Sequence, residues 1–140
     1  MPSEAAETFT LGDAQAVLAA QPFAQVVGGE LTEFRDGRAE LRIPLDERHQ
    51  QQDGVVHGGV ISYAADNVLT FAAGAAVGPA VWTAGYSINY LSQVRGNELI
   101  ARAETLRAGS RLITVRAELF DRREDTEHLC AIAQGTIARR

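Results

Sequence analysis

Cysteine is nearly absent from this 140-residue chain: Cys130 is the only one, so no disulfide can close within it. The three histidines, His49, His57 and His128, are widely spaced, and that spacing suits no metal site. No metal and no cofactor are therefore expected. Cys130 lies in the apolar run 129–132 and reads as a small buried residue rather than a reactive thiol. An excess of positive charge is also missing. The net charge of −5 argues against non-specific binding to nucleic acid or to an anionic membrane. No apolar run reaches the ~20 residues of a membrane span. The opening Met1-Pro2-Ser3-Glu4 lacks the charged-then-apolar pattern of a secretory signal, so the expected location is the cytoplasm. No Gly-x-Ser-x-Gly frames Ser62, which argues against a triad of Ser62, His57 and Asp66. No Gly-Lys-Ser/Thr follows the glycines at 54–59, which argues against a phosphate-binding loop.

What remains is the composition of a globular chain, 46% hydrophobic and 22% charged, long enough for one domain with a real core. Residues 1–9 are polar and are expected to be loose, with a single domain over 10–140. Thr10 and Asp13 have the form of a capping box, Asp standing in for the usual Glu or Gln, ahead of a short helix over 14–20 that Pro22 limits. Residues 25–34 read as extended, and Asp36-Gly37 is a hairpin signal. In the return strand Ala39, Leu41, Ile43 and Leu45 share one face. A polar loop over 46–57 leads to Gly58-Gly59 and an apolar stretch to Val77, in which Ile61, Ala64, Ala65, Val68, Leu69 and Ala72 recur at helical spacing. Four strands are expected over 82–91, 98–106, 112–120 and 128–137. One long helix can bury its stripe only against a sheet, and strands joined by short turns pair antiparallel. The expectation is an α+β domain, a curved antiparallel sheet wrapped around one central helix, with a partly open sheet face that invites dimerisation.

The residues with most to say are Gln51, Gly54, His57, Gly58, Gly59 and Asp66. Gly58 and Gly59 open the long helix. Backbone N–H groups there point outward and the helix dipole adds positive character, so a carbonyl oxygen gaining negative charge is stabilised at that spot. Gln51 and His57 precede it in a loop and can converge on the same point. Asp66 falls on the face shared by Gly59, Ser62, Tyr63 and Thr70, away from the apolar stripe. Spacing alone leaves other readings open: a solvated Asp66, a backbone-bonding His57, a plain loop-to-helix transition at the glycines and a merely polar Gln50–52 run. Arg107 and Arg111 flank the hairpin at Gly109, suited to phosphate contacts or simply to solvated strand ends.

The string Gln51-x-x-Gly54-x-x-His57-Gly58-Gly59-x6-Asp66 resembles the signature of the phenylacetate-pathway (PaaI-like) hotdog thioesterases. The likeness continues through 86–91, 96–99 and 107–111 and covers nearly the whole chain. It implies the hotdog fold and hydrolysis of acyl-CoA thioesters. It implies Asp66 as the carboxylate acting as general base or nucleophile, and Gly58 as the residue whose N–H holds the thioester carbonyl. His57 would shape the same loop, and Thr83 would help to orient water. It also implies that Asp66 of one subunit faces Gln51, His57 and Gly58 of its partner, in a homodimer or a tetramer built of two dimers. Many members carry Asn where this chain has Gln51, which offers the same amide one methylene further out. An acyl-thioester hydratase or dehydratase on the same fold, and a non-catalytic acyl-CoA-binding protein, are the alternatives. For the acyl pocket the expectation is Val60, Tyr63 and the neighbourhood of Phe71.

Overall fold

The computed structural model describes residues 8–140. Most of the segment expected to be loose lies outside the described residues. At its end, however, Phe9 is half-buried and its ring meets Phe34 edge-on, with centroids 5.8 Å apart. Helix α1 (Leu11–Ala19) starts at the expected capping box: the Asp13 N–H donates to Thr10 Oγ1 at 3.1 Å and the Thr10 N–H to Asp13 Oδ2 at 2.9 Å. Aspartate thus does the work of the longer residue.

The segment expected to be extended from Gln25 begins instead as a second short helix, α2 (Pro22–Val27). Proline sits in its first turn, where a fixed φ and a missing N–H cost nothing, so Pro22 starts a second helix as well as following the end of α1 at Ala19. Gly28 and Gly29, at φ +90° and +110°, then turn the chain into β1 (Glu30–Arg35). The rest of the sheet is β2 (Arg38–Pro44), β3 (Val81–Tyr90), β4 (Glu98–Ala108), β5 (Leu112–Arg123) and β6 (Thr126–Arg139), with α3 (Gly58–Val77) between β2 and β3. The spatial order is β1-β2-β4-β5-β6-β3, every neighbouring pair antiparallel. The strand that follows the long helix therefore lands at the far edge, beside the last strand.

Helix α3 packs on all six strands. Its buried stripe, Ile61, Ala64, Ala65, Val68, Leu69 and Ala72, is the one read from spacing. The stripe is rich in alanine, so the helix rides close to the sheet. Closest of all is Gly135 on β6, where an added Cβ would come within 3.0 Å of Leu69 Cδ1 and 3.2 Å of Tyr86 Cβ. Cys130 is buried as expected, its Sγ donating to Leu119 O at 3.3 Å, and burial pushes its thiol up to about 12.

The outer sheet face carries a charge network instead. Glu40 accepts from Thr32, from Arg42 Nε at 3.0 Å and from Arg102 Nε at 2.6 Å. Arg102 also grips both oxygens of Glu127, at 2.8 and 3.0 Å. Glu98 joins Arg42 and Arg122 at 3.2 and 2.9 Å. Burial pushes the Glu40 carboxyl up, but the bonds from Thr32, Arg102 and Arg42 outweigh it and hold the group below its ordinary 4.5.

Two outcomes follow. Gly135→Ala crowds Leu69 Cδ1 and Tyr86 Cβ by a few tenths of an ångström and should lower unfolding stability by about 1 kcal/mol in urea titrations; an unchanged midpoint would refute the close approach. Because a depressed carboxylate stabilises above its unfolded value and loses that contribution as pH falls through its folded one, stability should drop below the ordinary glutamate value of 4.5. Glu40→Gln should be less stable at neutral pH and lose less on acidification; parallel acid curves would contradict this.

Candidate active site

Asp66 sits half-buried in the middle of α3, on the face opposite the alanine stripe, with Ser62, Tyr63, Asn67 and Thr70 beside it. The strand that meets this face is β3. A bulge at Ala84, where the register slips between Thr83 and Gly85, turns Thr83 and Tyr86 to the same side although three residues separate them; in an unbroken strand they would point to opposite faces. Both hydroxyls therefore reach the helix. Thr83 Oγ1 donates to Asp66 Oδ1 at 2.7 Å, and Tyr86 Oη pairs with Ser62 Oγ.

Thr70, one turn after Asp66, has its Oγ1 hydrogen-bonded to Thr83 Oγ1 and lying 2.9 Å from the Asp66 carbonyl oxygen. Each hydroxyl has one proton to give. The Thr83 proton goes to the carboxylate and the Thr70 proton to the Asp66 carbonyl oxygen, so the close Thr70–Thr83 contact carries a proton only when one of those bonds is given up. Thr83 is thus the one side-chain donor to the Asp66 carboxylate among the described residues.

An open-sided cavity of about 430 Å³ adjoins this group. Phe9, Phe34, Phe71 and Val81 supply its apolar wall, and Asp66 and Thr83 contribute polar atoms. Phe34 and Phe71 meet edge-on with centroids 6.4 Å apart, continuing the stack begun by Phe9. Of the residues expected around the pocket, Phe71 lines it but Val60 and Tyr63 do not; Tyr63 packs its ring against the exposed Phe23 instead, centroids 5.4 Å apart.

The other expected residues gather at the start of α3. His57 is its N-cap, with Nδ1 accepting the Gly59 N–H at 2.8 Å, so in the neutral ring the proton sits on Nε2. The Val60 N–H returns to His57 O at 2.9 Å. Of the first three N–H groups of the helix, Gly58 alone has no acceptor among the described residues. Tyr90 Oη donates to the Gly58 carbonyl oxygen at 3.2 Å, in the peptide unit that follows the Gly58 N–H. Gln51 is exposed, its side chain uncommitted to the adjoining helical turn. His49, which had no expected role, is buried and neutral by geometry: Nδ1 accepts the Asp46 N–H at 3.0 Å and Nε2 donates to Val27 O at 2.6 Å. Its own carbonyl accepts the His57 N–H at 2.8 Å.

Within one chain these two groups stay apart. Asp66 follows Gly58 by eight residues, a rise of about 12 Å along the helix. The Ser62, His57 and Asp66 set forms no triad, since Ser62 bonds to Tyr86 and His57 Nδ1 to Gly59. Arg107 and Arg111 are exposed at the β4–β5 hairpin, with no carboxylate paired to either among the described residues. Through the register Thr83–Ile137–Ile113–Ala108 they lie at the same end of the sheet as Thr83, three strand spacings or about 14 Å away. Sequence reading missed the Thr70–Thr83 contact, the Phe9 wall and Arg140, which also lines the cavity while its N–H donates to Ala80 O at 2.8 Å. Thr70 had a visible signal, its position one turn beyond Asp66.

Comparison with known proteins agrees with this architecture. A thioesterase family protein of Silicibacter pomeroyi superposes with a TM-score of 0.84 at 27% identity, over 89% of this chain and 93% of that one. The 1,4-dihydroxy-2-naphthoyl-CoA hydrolase of Listeria monocytogenes is 26% identical over 116 residues, 81% of this chain and 92% of that protein. A mutant form of the phenylacetic acid degradation protein PaaI of Thermus thermophilus shares the fold, with a TM-score of 0.74 at 21% identity over 86% of this chain and all of that one (100%). The model of the thioesterase superfamily matches residues 53–128, more than half of the chain and the stretch that holds the His57 cap, Asp66 and Thr83. The chain is a hotdog-fold member of the thioesterase superfamily.

Proposed function

We propose that this chain hydrolyses acyl-CoA thioesters at a site completed by a second copy of itself. The observation that carries the reading is the Thr83 to Asp66 hydrogen bond beside an apolar cavity, on the same helix whose first amide, Gly58, has no acceptor among the described residues. A thioester needs little more. Its carbonyl is activated and its thiolate leaves readily, so one carboxylate and one oxyanion donor suffice without metal or cofactor.

In this mechanism the acyl group lies in the cavity lined by Phe34 and Phe71. Asp66 takes a proton from water as the water oxygen bonds to the carbonyl carbon. The oxygen of the tetrahedral intermediate accepts the Gly58 N–H of the other subunit. Collapse breaks the carbon–sulfur bond and the proton passes to the departing thiolate, giving acid and free coenzyme A. With Asp66 as nucleophile the first bond is instead an anhydride, which water then opens. The split in the chain motivates the dimer: Asp66 and Gly58 of one copy sit about 12 Å apart along their helix, too far to act on one carbonyl. His57 and Gln51 complete the amide side, and Arg107 and Arg111 meet the coenzyme A phosphates. The exposed edge of β3, with Trp82 and Tyr90, is the surface on which two copies join; a dimer of dimers builds the tetramer. Supporting the substrate class, a relative of matching length is named as a CoA hydrolase.

The reading is tested by free-thiol release from aromatic, short and medium acyl-CoA esters. Asp66→Asn should fold normally and lose about 10²–10⁴-fold in kcat. Thr83→Val, which removes the donor to Asp66, should lose less, about tenfold, for a hydrogen bond to a charged group. Near-wild-type turnover in Asp66→Asn would sink the mechanism, and double-bond hydration without thiol release would point to the hydratase. Light scattering should give at least a dimeric mass, and an active monomer would reject the split site.

A further inference from the structure

The loop that carries Gln51, His57 and Gly58 is tied down by groups that stand outside the site. Asp121 on β5 is fully buried. Its Oδ1 accepts the Gly96 N–H at 2.8 Å, and its Oδ2 accepts the Arg95 N–H at 3.1 Å and Arg123 Nε at 2.9 Å. The fit is close enough that a Cβ at position 96 would collide with the Arg122 carbonyl oxygen and with Asp121 itself. The turn so fixed, 94–97, is the attachment point of the loop at both ends. The Leu45 N–H donates to Asn97 O at 2.9 Å, and the Val56 N–H to Val94 O at 2.9 Å.

Between these ends the loop makes an unfavourable reversal. Asp53 has φ +68° and ψ 21°, and Gly54 follows at φ +72°. Glycine adopts that region freely, but aspartate there persists only when its surroundings over-determine it. What holds Asp53 is Arg95, whose Nη1 donates to the Asp53 carbonyl oxygen at 3.0 Å. Its Nη2 reaches only Gln93 Oε1, at 3.4 Å. The guanidinium thus goes to a backbone carbonyl, although the chain contains 18 acidic residues and none pairs with Arg95 among those described. The reversal closes with the Gln51 N–H on Val55 O at 2.8 Å, and three residues later the helix begins at Gly58.

We propose that Arg95 is a positioning residue for the Gly58 amide, acting through the left-handed backbone of Asp53, with buried Asp121 fixing the turn from which Arg95 reaches. This rests on Gly58 being the oxyanion donor. Such a donor works only while it stays aimed, since misplacement by about 1 Å costs up to 10²-fold in rate. Arg95 touches no reacting atom in this role; it keeps the loop in a conformation that Asp53 would otherwise leave.

The test uses the full-length protein with Arg95→Ala, Asp53→Gly and the double variant. Arg95→Ala should lower kcat for thiol release about tenfold and leave KM within about twofold. Amide hydrogen exchange over 51–58 should accelerate severalfold while the middle of α3 stays protected. Because glycine takes the left-handed region without strain, adding Asp53→Gly should restore much of both the rate and the protection. A rise in KM with no change in exchange and no rescue would overturn the proposal and make Arg95 a substrate contact. Unchanged exchange in Arg95→Ala overturns it whatever the activity. If the wild type releases no thiol, the hydrolase reading fails, and with it the role assigned to Gly58. Accelerated exchange with rescue would then still establish Arg95 as the clamp of the loop.

Discussion

Leu69 meets the sheet where Gly135 has no side chain, and that contact sets the height at which α3 rides over the strands. Much of the site depends on this height. Alanines at 64, 65, 72 and 73, all buried, let the helix settle close, and only then does a short threonine side chain on β3 reach a carboxylate on the helix. A bulkier stripe would lift Asp66 away from Thr83 and widen the cavity beside Phe71. The packing of the core and the Thr83–Asp66 hydrogen bond are therefore two results of one distance.

The two polar layers of the molecule answer different needs. On the outer sheet face, arginines and glutamates of β2, β4, β5 and β6 share partners across strands, so the sheet meets water with its charges paired. On the helix side, charge is scarce and hydroxyl groups replace it. Thr70, Thr83, Ser62 and Tyr86 pair with one another and leave Asp66 as the one acidic group on that face of α3. A lone carboxylate beside an apolar cavity is poised for chemistry, whereas a paired one is spent on stability.

Much of this was legible in the chain. The alanine-rich period of α3, the alternation in β2 and the turns between the last four strands gave the layers and most of the order. The string from Gln51 to Asp66 gave the candidate residues through a family resemblance, where spacing alone left them open. What stayed hidden has physical causes. Pro22 carries opposite meanings at the start and in the middle of a helix, and only the structure says which applies. The extra residue at Ala84 changes the parity of β3, so counting by twos cannot tell that Thr83 and Tyr86 look the same way. The carbonyl of left-handed Asp53 accepts from Arg95, 42 residues away, and no local pattern announces that contact. Phe9 looked like part of a polar tail because its partner, Phe34, is distant in sequence.

The eight-residue step from Gly58 to Asp66 sets a phase as well as a length. Successive residues on a helix turn by about 100°, so one deleted residue between them would move the carboxylate only about 1.5 Å along the axis yet swing it to the place of Ala65 in the buried stripe, and one inserted residue would swing it the other way, to the place of Asn67. The spacing in the motif is thus a constraint of angle more than of reach. Substitutions within that step leave the phase of the helix unchanged, while any change in its count reassigns which residue stands opposite Thr83.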